Sequence, residues 1–210
     1  MYKLILIGAG GYAKSVLDSV DYHNYKMVGF IDEFSKKKEH LGYPILANNL
    51  TNLVDREKYT YFIAIGNNER RKLWYDRLIA SNLKVINIID KSAIVSPLAA
   101  IGDGNFIGKM AIINSHAVIG NDCIINTKAI VEHGSRILNH VNISTNSVLN
   151  GDVIVGEGSF IGSCSVTIGQ VSIGEWSTVG AGAVVIDPVK DRVTVAGIPA
   201  KIIKQGAMLG

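Results

Sequence analysis

A glycine-rich segment near the N-terminus has the residue types of a nucleotide site. Gly8-x-Gly10-x-x-Ala13 follows a short apolar run and opens a segment with helical spacing, and Asp32 ends the next apolar run. Backbone amides at a helix N-terminus bind phosphate, and a carboxylate at the end of the following strand binds a ribose or a base edge. The spacing therefore predicts a nucleotide-binding turn, with a tight turn that holds no ligand as the alternative.

The histidines are the candidates for proton transfer. The chain has five, of which His116, His133 and His140 lie in the same stretch. A neutral imidazole accepts a proton near pH 7, as a general base must. A zinc carbonic anhydrase would need three convergent histidines, which spacings of 17 and 7 residues do not favour. We expect His116 and His140 to be solvated surface residues.

Strands and helices alternate over residues 1–90. Apolar runs predict strands at 3–7, 26–31, 59–65 and 84–89, helical spacing predicts helices at 12–21 and 69–80, and the charged segment 35–40 predicts a loop. In the second helix, the predicted buried face carries Leu73, Trp74, Arg77 and Leu78, and other basic residues lie opposite. This alternation predicts a small parallel sheet covered by helices. Since a second nucleotide-binding half is missing, an NAD site is not favoured.

A period of six residues begins after Asp90. At every sixth position from Val95 to Val185, fifteen of sixteen residues are aliphatic, and Thr167 is the exception. The residue two positions earlier is usually small, and Cys123 is among these, so we expect its thiol to be buried. The period is typical of a hexapeptide parallel β-helix, in which about 18 residues make a coil and each residue stacks on the one a coil earlier. We interpret Thr167–Gln170 as a bulge and the tail 193–206 as a cap.

Composition narrows the class of protein. The 210 residues are 48% apolar and carry a net charge of +3 with no Lys/Arg stripe, so a packed core is available and nucleic acid is not indicated. No apolar run is long enough to span a membrane, and the N-terminus has neither a basic leader nor a cleavage site. Two cysteines are too few for a disulfide scaffold, which predicts a reducing cytoplasm.

These features together resemble a known family, the sugar O/N-acyltransferases with a left-handed β-helix. The resemblance covers essentially the whole chain and rests on seven segments: Gly8–Gly11, Phe30–Glu33, Phe62–Asn68, Asn126-Thr127, Val131–His133, Gly151-Asp152 and Ala196–Lys201. It implies a Rossmann-like nucleotide-sugar domain at 1–90 and a left-handed β-helix with a C-terminal cap at 91–210. The nearest groups are acetyl-CoA-dependent N-acetyltransferases for nucleotide-linked amino sugars, such as the bacillosamine-pathway enzyme, and sialic acid O-acetyltransferases.

The resemblance implies a substrate site in the first domain. Its candidate residues are Gly10, Gly11 and Tyr12 for the diphosphate, Asp32 and Glu33 for the base, Gly66 for close backbone approach, and Asn126 from the repeats. Tyr12 stands where relatives often have histidine. The activated sugar is expected to be linked to UDP or dTDP and to serve surface polysaccharide or glycan synthesis.

The resemblance also implies that His133 is the general base for acetyl transfer to an amine. Relatives commonly have a carboxylate directly after this histidine, where this chain has Gly134. Asp152, one coil after Gly134, and Glu132 are the candidate replacements. Relatives also often have a second histidine near the thioester, where this chain has Asn142, which can still donate a hydrogen bond.

Acetyl-CoA is the implied cosubstrate, and no metal is implied. The residues at the matching positions are Asn142, Gly151, Ser163 and Ala181. Because such sites lie in the groove between neighbouring β-helices, a homotrimer is implied. The alternatives to the amino-sugar N-acetyltransferase are a sialic acid O-acetyltransferase and a non-catalytic sugar-nucleotide-binding protein.

Overall fold

The computed structural model describes residues 1–206, and the last four residues of the predicted second domain lie outside this range. The first part of the chain forms a six-stranded sheet in the order β3-β4-β2-β1-β5-β6, in which only β3 and β4 are antiparallel. The strands are β1 (Tyr2–Ile7), β2 (Tyr25–Ile31), β3 (Glu39–His40), β4 (Tyr43–Ala47), β5 (Thr60–Ile63) and β6 (Lys84–Val85). Helices α1 (Tyr12–Asp18) and α2 (Asn68–Ala80) follow β1 and β5. This confirms the predicted parallel α/β domain.

Three details of this domain differ from the sequence-based expectation. The charged segment expected to be a loop ends in β3, which pairs with β4. The strand predicted at 84–89 is divided, because β6 joins the first sheet while residues 88–89 pair with the β-helix. In α2, Leu73 and Arg77, predicted on the buried face, are 56% and 52% exposed, whereas Arg71, expected on the solvated face, is 1% exposed.

The repeats form a left-handed β-helix whose two-residue strands build three faces. Face 1 contains β7 (Ile88–Ile89), β10 (Phe106–Ile107), β13 (Ile124–Ile125), β16 (Asn142–Ile143), β19 (Phe160–Ile161) and β22 (Thr178–Val179). Face 2 contains β8 (Ile94–Val95), β11 (Ile112–Ile113), β14 (Ile130–Val131), β17 (Val148–Leu149), β20 (Val166–Thr167) and β23 (Val184–Val185). Face 3 contains β9 (Ala100–Ile101), β12 (Val118–Ile119), β15 (Arg136–Ile137), β18 (Ile154–Val155) and β21 (Ser172–Ile173).

The period of six arises from the corners between these faces. From Gly104 to Gly182, every sixth residue has a positive φ, which turns the chain from one face to the next. From β10 to β23, the second residue of each strand points inward, and these side chains, aliphatic except for Thr167, fill one continuous core. Full burial of one such side chain contributes roughly 1.5–3 kcal/mol, so this column stabilises the prism. Cys123 lies in this core as expected, and burial raises the pKa of its thiol to about 12.

The predicted bulge at Thr167–Gln170 is wrong. β20 pairs with β17 and β23 without a register shift. Thr167 points into the core, where its hydroxyl has no hydrogen-bond partner among the described residues. Threonine therefore replaces an aliphatic residue here without changing the backbone, because its hydroxyl is similar in size to a methyl group of valine.

The tail closes the prism, as the capping prediction expects. β24 (Val193–Gly197) pairs in parallel with β22 and turns back into β25 (Ala200–Gln205). Val193 and Val195 are buried against the core.

The first domain covers face 1 of the prism. Phe106 and Ile124 on the outside of this face belong to the same apolar cluster as Leu6 and Phe62 of the first sheet. The outward residues of face 2 are all aliphatic and mostly half-buried: Ile94, Ile112, Ile130, Val148, Val166 and Val184. Face 3 is mixed, with Arg136 and Ser172 among its outward residues. The prism thus has one covered face and one uncovered apolar face.

Candidate active site

A pocket of about 270 Å³ opens at the carboxyl ends of β1, β2 and β5. Gly10, Gly11 and Gly66 line it, and a Cβ atom added at any of the three would have no atom within 4 Å. Ligands of open parallel sheets bind at this edge, where the connections diverge. The structure therefore brings together the glycines that the sequence predicts for the substrate site.

Asp32 joins the two loops that form the pocket. Its Oδ2 accepts a hydrogen bond from the amide of Ala9 at 2.7 Å, and its Oδ1 accepts from the amides of Phe34 and Ser35 at 2.9 and 2.8 Å. Removal of this carboxylate would free both loops. Asp32 therefore lines the predicted site and also determines its shape.

Two side-chain pairs form the rim beside Asp32. Glu33 forms an ion pair with Arg77, with 2.6 Å between Oε1 and Nη1. The guanidinium of Arg70 lies over the exposed ring of Phe34, 4.5 Å from its centroid. Arg70 is the basic side chain among the pocket-lining residues described here.

Tyr12 lines the pocket, but its hydroxyl is buried and has no hydrogen-bond partner among the described residues. The ring packs edge-on against Phe106, with 5.5 Å between centroids. Burial raises the pKa of this hydroxyl well above its ordinary value, and the charge of Arg71 opposes that rise. The phenol therefore points into the domain interface.

A buried ionic cluster that the sequence did not reveal joins α2 to the prism. The guanidinium of Arg71 lies 3.3 Å from Oδ2 of Asp122, which lies 2.8 Å from Nδ1 of His140. Burial raises the pKa of the Asp122 carboxyl, and Arg71 and His140 oppose the rise. The expectation that His140 is solvated is wrong, because its side chain is 4% exposed and contacts the ring of Tyr75.

Asn142 lies at the same interface, on the outside of face 1. Its Nδ2 donates to the carbonyl of Gly66 at 3.4 Å, and its Oδ1 is buried without a partner among the described residues. Asn142 is thus placed beside the pocket of its own chain.

His133 lies on the corner between faces 2 and 3, opposite face 1, and its side chain is exposed. Gly151 stacks one coil above it, and a Cβ atom there would lie 2.5 Å from Cε1 and 2.7 Å from Nε2 of the imidazole. The next residue in this column is Gly169. The imidazole therefore lies in a column without side chains above it, which leaves room for a ligand.

The carboxylate of Asp152 reaches the coil of His133. An added Cβ atom on Gly134, which has a φ of +67°, would collide with Oδ1 of Asp152. The Asp152 carboxylate thus occupies space beside the residue that follows His133. Glu132 is half-buried on the other side of the histidine.

The remaining predicted residues lie on a different corner. Asn126, Ser163 and Ala181 follow strands of face 1 and lie on the corner between faces 1 and 2. Ser163 is held by a hydrogen bond between its Oγ and that of Ser144, at 2.8 Å. The two corners with predicted site residues therefore flank the apolar face 2.

A larger cavity lies elsewhere. It measures about 700 Å³, lies at the end of α1, and is lined by Asp18, Tyr22, His23 and Lys91 among others. Since it contains none of the residues with a predicted role, we assign the site to the smaller pocket. No group of three or more His, Cys, Asp or Glu side chains within residues 1–206 is arranged to hold a metal ion. None of the described helices is long and apolar enough to cross a membrane.

Comparison with known proteins shows the family of the chain. Residues 3–78 match the family described as the PglD N-terminal domain. A mutant of perosamine N-acetyltransferase from Caulobacter crescentus, in complex with CoA and GDP-perosamine, is 32% identical with a TM-score of 0.91, over 96% of this chain and 97% of that one. This chain belongs to the sugar acyltransferases with a left-handed β-helix.

Two further structures support the family assignment. The acetyltransferase domain of PglB from Neisseria gonorrhoeae FA1090 is 33% identical with a TM-score of 0.92, over 97% of this chain and 100% of that one. The same domain in complex with acetyl coenzyme A is 33% identical with a TM-score of 0.91, over 96% of this chain and 98% of that one. An uncharacterized protein of Acanthamoeba polyphaga mimivirus is 29% identical over 101 residues, and the chain spans about a fifth of that curated relative (20%).

Proposed function

We propose that this chain transfers the acetyl group of acetyl-CoA to the amino group of a nucleotide-linked amino-deoxy-sugar, in the synthesis of a surface polysaccharide or another glycan. The observation that carries the proposal is the position of His133. Its side chain is exposed on the corner between faces 2 and 3, and the residues stacked on it in the next two coils, Gly151 and Gly169, have no side chains. Its relatives of 32–33% identity include a perosamine N-acetyltransferase in complex with CoA and GDP-perosamine, and a domain in complex with acetyl coenzyme A. We expect a UDP, dTDP or GDP sugar.

The residues present fit acetyl-CoA as cosubstrate. Gly151 and Gly169 keep the column above His133 clear, and Ser163 and Ala181 are small residues on the other corner that flanks face 2. Bulky side chains at these positions would block a long, narrow pantetheine arm. When bound, acetyl-CoA supplies the acetyl group as a thioester.

His133 is the proposed general base. Its neutral imidazole accepts the proton that the sugar amine loses as the amine nitrogen forms a bond to the acetyl carbonyl carbon. The C–S bond of the thioester then breaks, and the departing CoA thiolate takes up the proton from the imidazolium, which restores the neutral base. Backbone N–H groups of the neighbouring coils donate to the carbonyl oxygen as its negative charge develops. We propose that Asp152 takes the place of the carboxylate that relatives commonly have after the histidine, because it reaches the space above Gly134. Glu132 is the second candidate for this role.

The proposed site needs a second copy of the chain. His133 lies on the corner opposite face 1, whereas the nucleotide pocket of the same chain covers face 1. Packing of face 2 around a threefold axis would bring the His133 corner of one copy beside the Ser163 corner and the pocket of the next. The six aliphatic residues on the outside of face 2 support this arrangement, because their association buries apolar surface. We therefore propose a homotrimer, and a cytoplasmic location consistent with two free cysteines.

Acetyl transfer to a panel of acceptors tests the function directly. The protein is incubated with acetyl-CoA and UDP-, dTDP- or GDP-linked amino sugars, and release of the CoA thiol is followed together with the product mass. We expect one acetyl group to be added to an amino sugar and none to the matching sugar with a hydroxyl in place of the amine. Transfer to sialic acid alone would favour the O-acetyltransferase, and binding without transfer would favour a non-catalytic protein.

Substitution of Asp32 by alanine should weaken nucleotide binding by about tenfold to a hundredfold. The carboxylate holds three backbone amides of the pocket loops, and hydrogen bonds to a charged group contribute about 1.5–3 kcal/mol. Calorimetry with UDP, dTDP and GDP measures this loss, and acetyl-CoA affinity should stay nearly unchanged. Gly11→Val should act in the same direction, because the new side chain would extend into the pocket.

Asp55→Ala is the control for Asp32, since Asp55 is exposed and pairs only locally with Lys58. It should leave the affinity for both ligands unchanged. If Asp32→Ala weakened acetyl-CoA binding alone, the assignment of the nucleotide to the first domain would be wrong.

Gly151→Ala should lower kcat by about tenfold to a hundredfold. The new methyl group would displace the imidazole of His133, and a misplacement of about 1 Å can reduce a rate about 100-fold. Steady-state kinetics measures the effect, with the unfolding temperature as the control, because Gly151 does not adopt a positive φ. Wild-type kcat in this variant would show that the ring position is not needed.

A further inference from the structure

One buried side chain holds the pocket to the prism. Arg71 on α2 donates from Nη1 to the carbonyl oxygens of Ile65 and Gly66, each at 3.3 Å. Its Nε donates to the carbonyl of Asp122 at 3.0 Å, and its Nη2 donates to that of His140 at 2.7 Å. A single guanidinium therefore ties the loop after β5, which lines the pocket, to two coils of the prism.

These contacts determine which way the loop amides point. In a trans peptide, the N–H points away from the carbonyl of the preceding residue, and the cis peptide bond found within residues 1–206 is elsewhere, at Ile198–Pro199. Since the carbonyl of Ile65 points at the guanidinium, the N–H of Gly66 points the opposite way. Gly66 is exposed and lines the pocket, so its amide is presented to a ligand there.

The chemistry of this end of the pocket suits an anion. Gly10, Gly11 and Gly66 provide backbone without side chains, and backbone N–H groups arranged around a concavity bind phosphate oxygens. The two carboxylates of the pocket lie on the loop after β2, at the other end. Asp32 accepts hydrogen bonds from loop amides, and Glu33 forms an ion pair with Arg77.

We infer that Arg71 is a positioning residue for nucleotide binding, which turns the amide of Gly66 toward a phosphate oxygen of the nucleoside diphosphate. The inference rests on the proposed function of the pocket. Lysine could not replace it, because its ammonium offers three donors from one point, whereas the planar guanidinium reaches four carbonyls and Oδ1 of Asn68 at once. The Asp122 carboxylate offsets the buried charge.

Calorimetry of Arg71→Lys with UDP, dTDP and GDP tests the inference. We expect affinity for the nucleotide that binds the wild type best to fall about tenfold, the effect of one lost hydrogen bond to a charged group. Acetyl-CoA affinity should not change. Tyr75→Leu is the matched control, because Tyr75 lies on the same helix and contacts His140 across the same interface but does not line the pocket. It should bind both ligands like the wild type.

Rescue separates positioning from a structural role. In Arg71→Ala, added guanidinium ion should restore nucleotide affinity, while Tyr75→Leu should show no response. Unchanged nucleotide affinity in Arg71→Lys would overturn the inference and leave the proposed function intact. Equal losses for both ligands in Arg71→Lys and Tyr75→Leu would also overturn it, by showing that the residue only holds the domains together. A wild type that binds none of the three nucleotides would overturn both the inference and the nucleotide part of the proposed function.

Discussion

Replacing His133 by alanine lowers kcat for acetyl transfer by about 10²–10⁴-fold, the usual effect of losing a positioned proton acceptor. The physical reason is that a sugar amine must lose a proton as it attacks, and the variant lacks the imidazole that is proposed to accept it. The unfolding temperature should change little, because the side chain is exposed in its glycine column. Steady-state kinetics with the amino sugar found by the acceptor panel measures the loss.

The control for this variant is His116→Ala on the same edge of the prism. His116 is exposed, and its Nδ1 contacts the hydroxyl of Ser115 at 2.6 Å, so its removal should change kcat by less than about threefold. An unchanged kcat in His133→Ala would mean that the amine enters already deprotonated and that the enzyme acts by positioning alone.

The repeat half of the fold was predictable because its pattern is local. An aliphatic residue at every sixth position indicates a parallel β-helix, although not its hand, and the corners with positive φ follow the same period. The stacking of residues one coil apart was also predictable. The 18-residue coil predicts that Asp152 lies against Gly134, and the glycine column above His133 follows from the same rule.

The sequence could not reveal the contacts between the two halves. In the sequence, Arg71 does not differ from other basic residues on a helix. It is buried because it binds the carbonyls of Asp122 and His140, which are 51 and 69 residues away along the chain. The division of the strand predicted at 84–89 has the same cause. The mostly apolar segment 84–89 does not indicate that its first half pairs with β5 and its second half with β10.

Replacing Val148 by aspartate should convert the proposed trimer into monomers and abolish measurable acetyl transfer. Val148 lies in the middle of the aliphatic column on face 2, and a threefold assembly would bury a carboxylate in each copy without a partner. Such burial costs several kcal/mol per charge, more than a standard interface tolerates. Light scattering should give 22.6 kDa in place of three times that mass. Activity should be lost because His133 of one copy would no longer face the nucleotide pocket of another.

Val118→Asp is the control that introduces the same charge on face 3, outside the proposed interface. Val118 has the same residue type and the same strand position as Val148, but it lies on face 3 and is 41% exposed. This variant should remain a trimer and keep its activity. If Val148→Asp stayed trimeric and active, face 2 would not be the interface, and the site could not be shared across it. If Val148→Asp became monomeric but kept full activity, one chain would hold a complete site, although its His133 and its pocket lie on opposite sides of the prism.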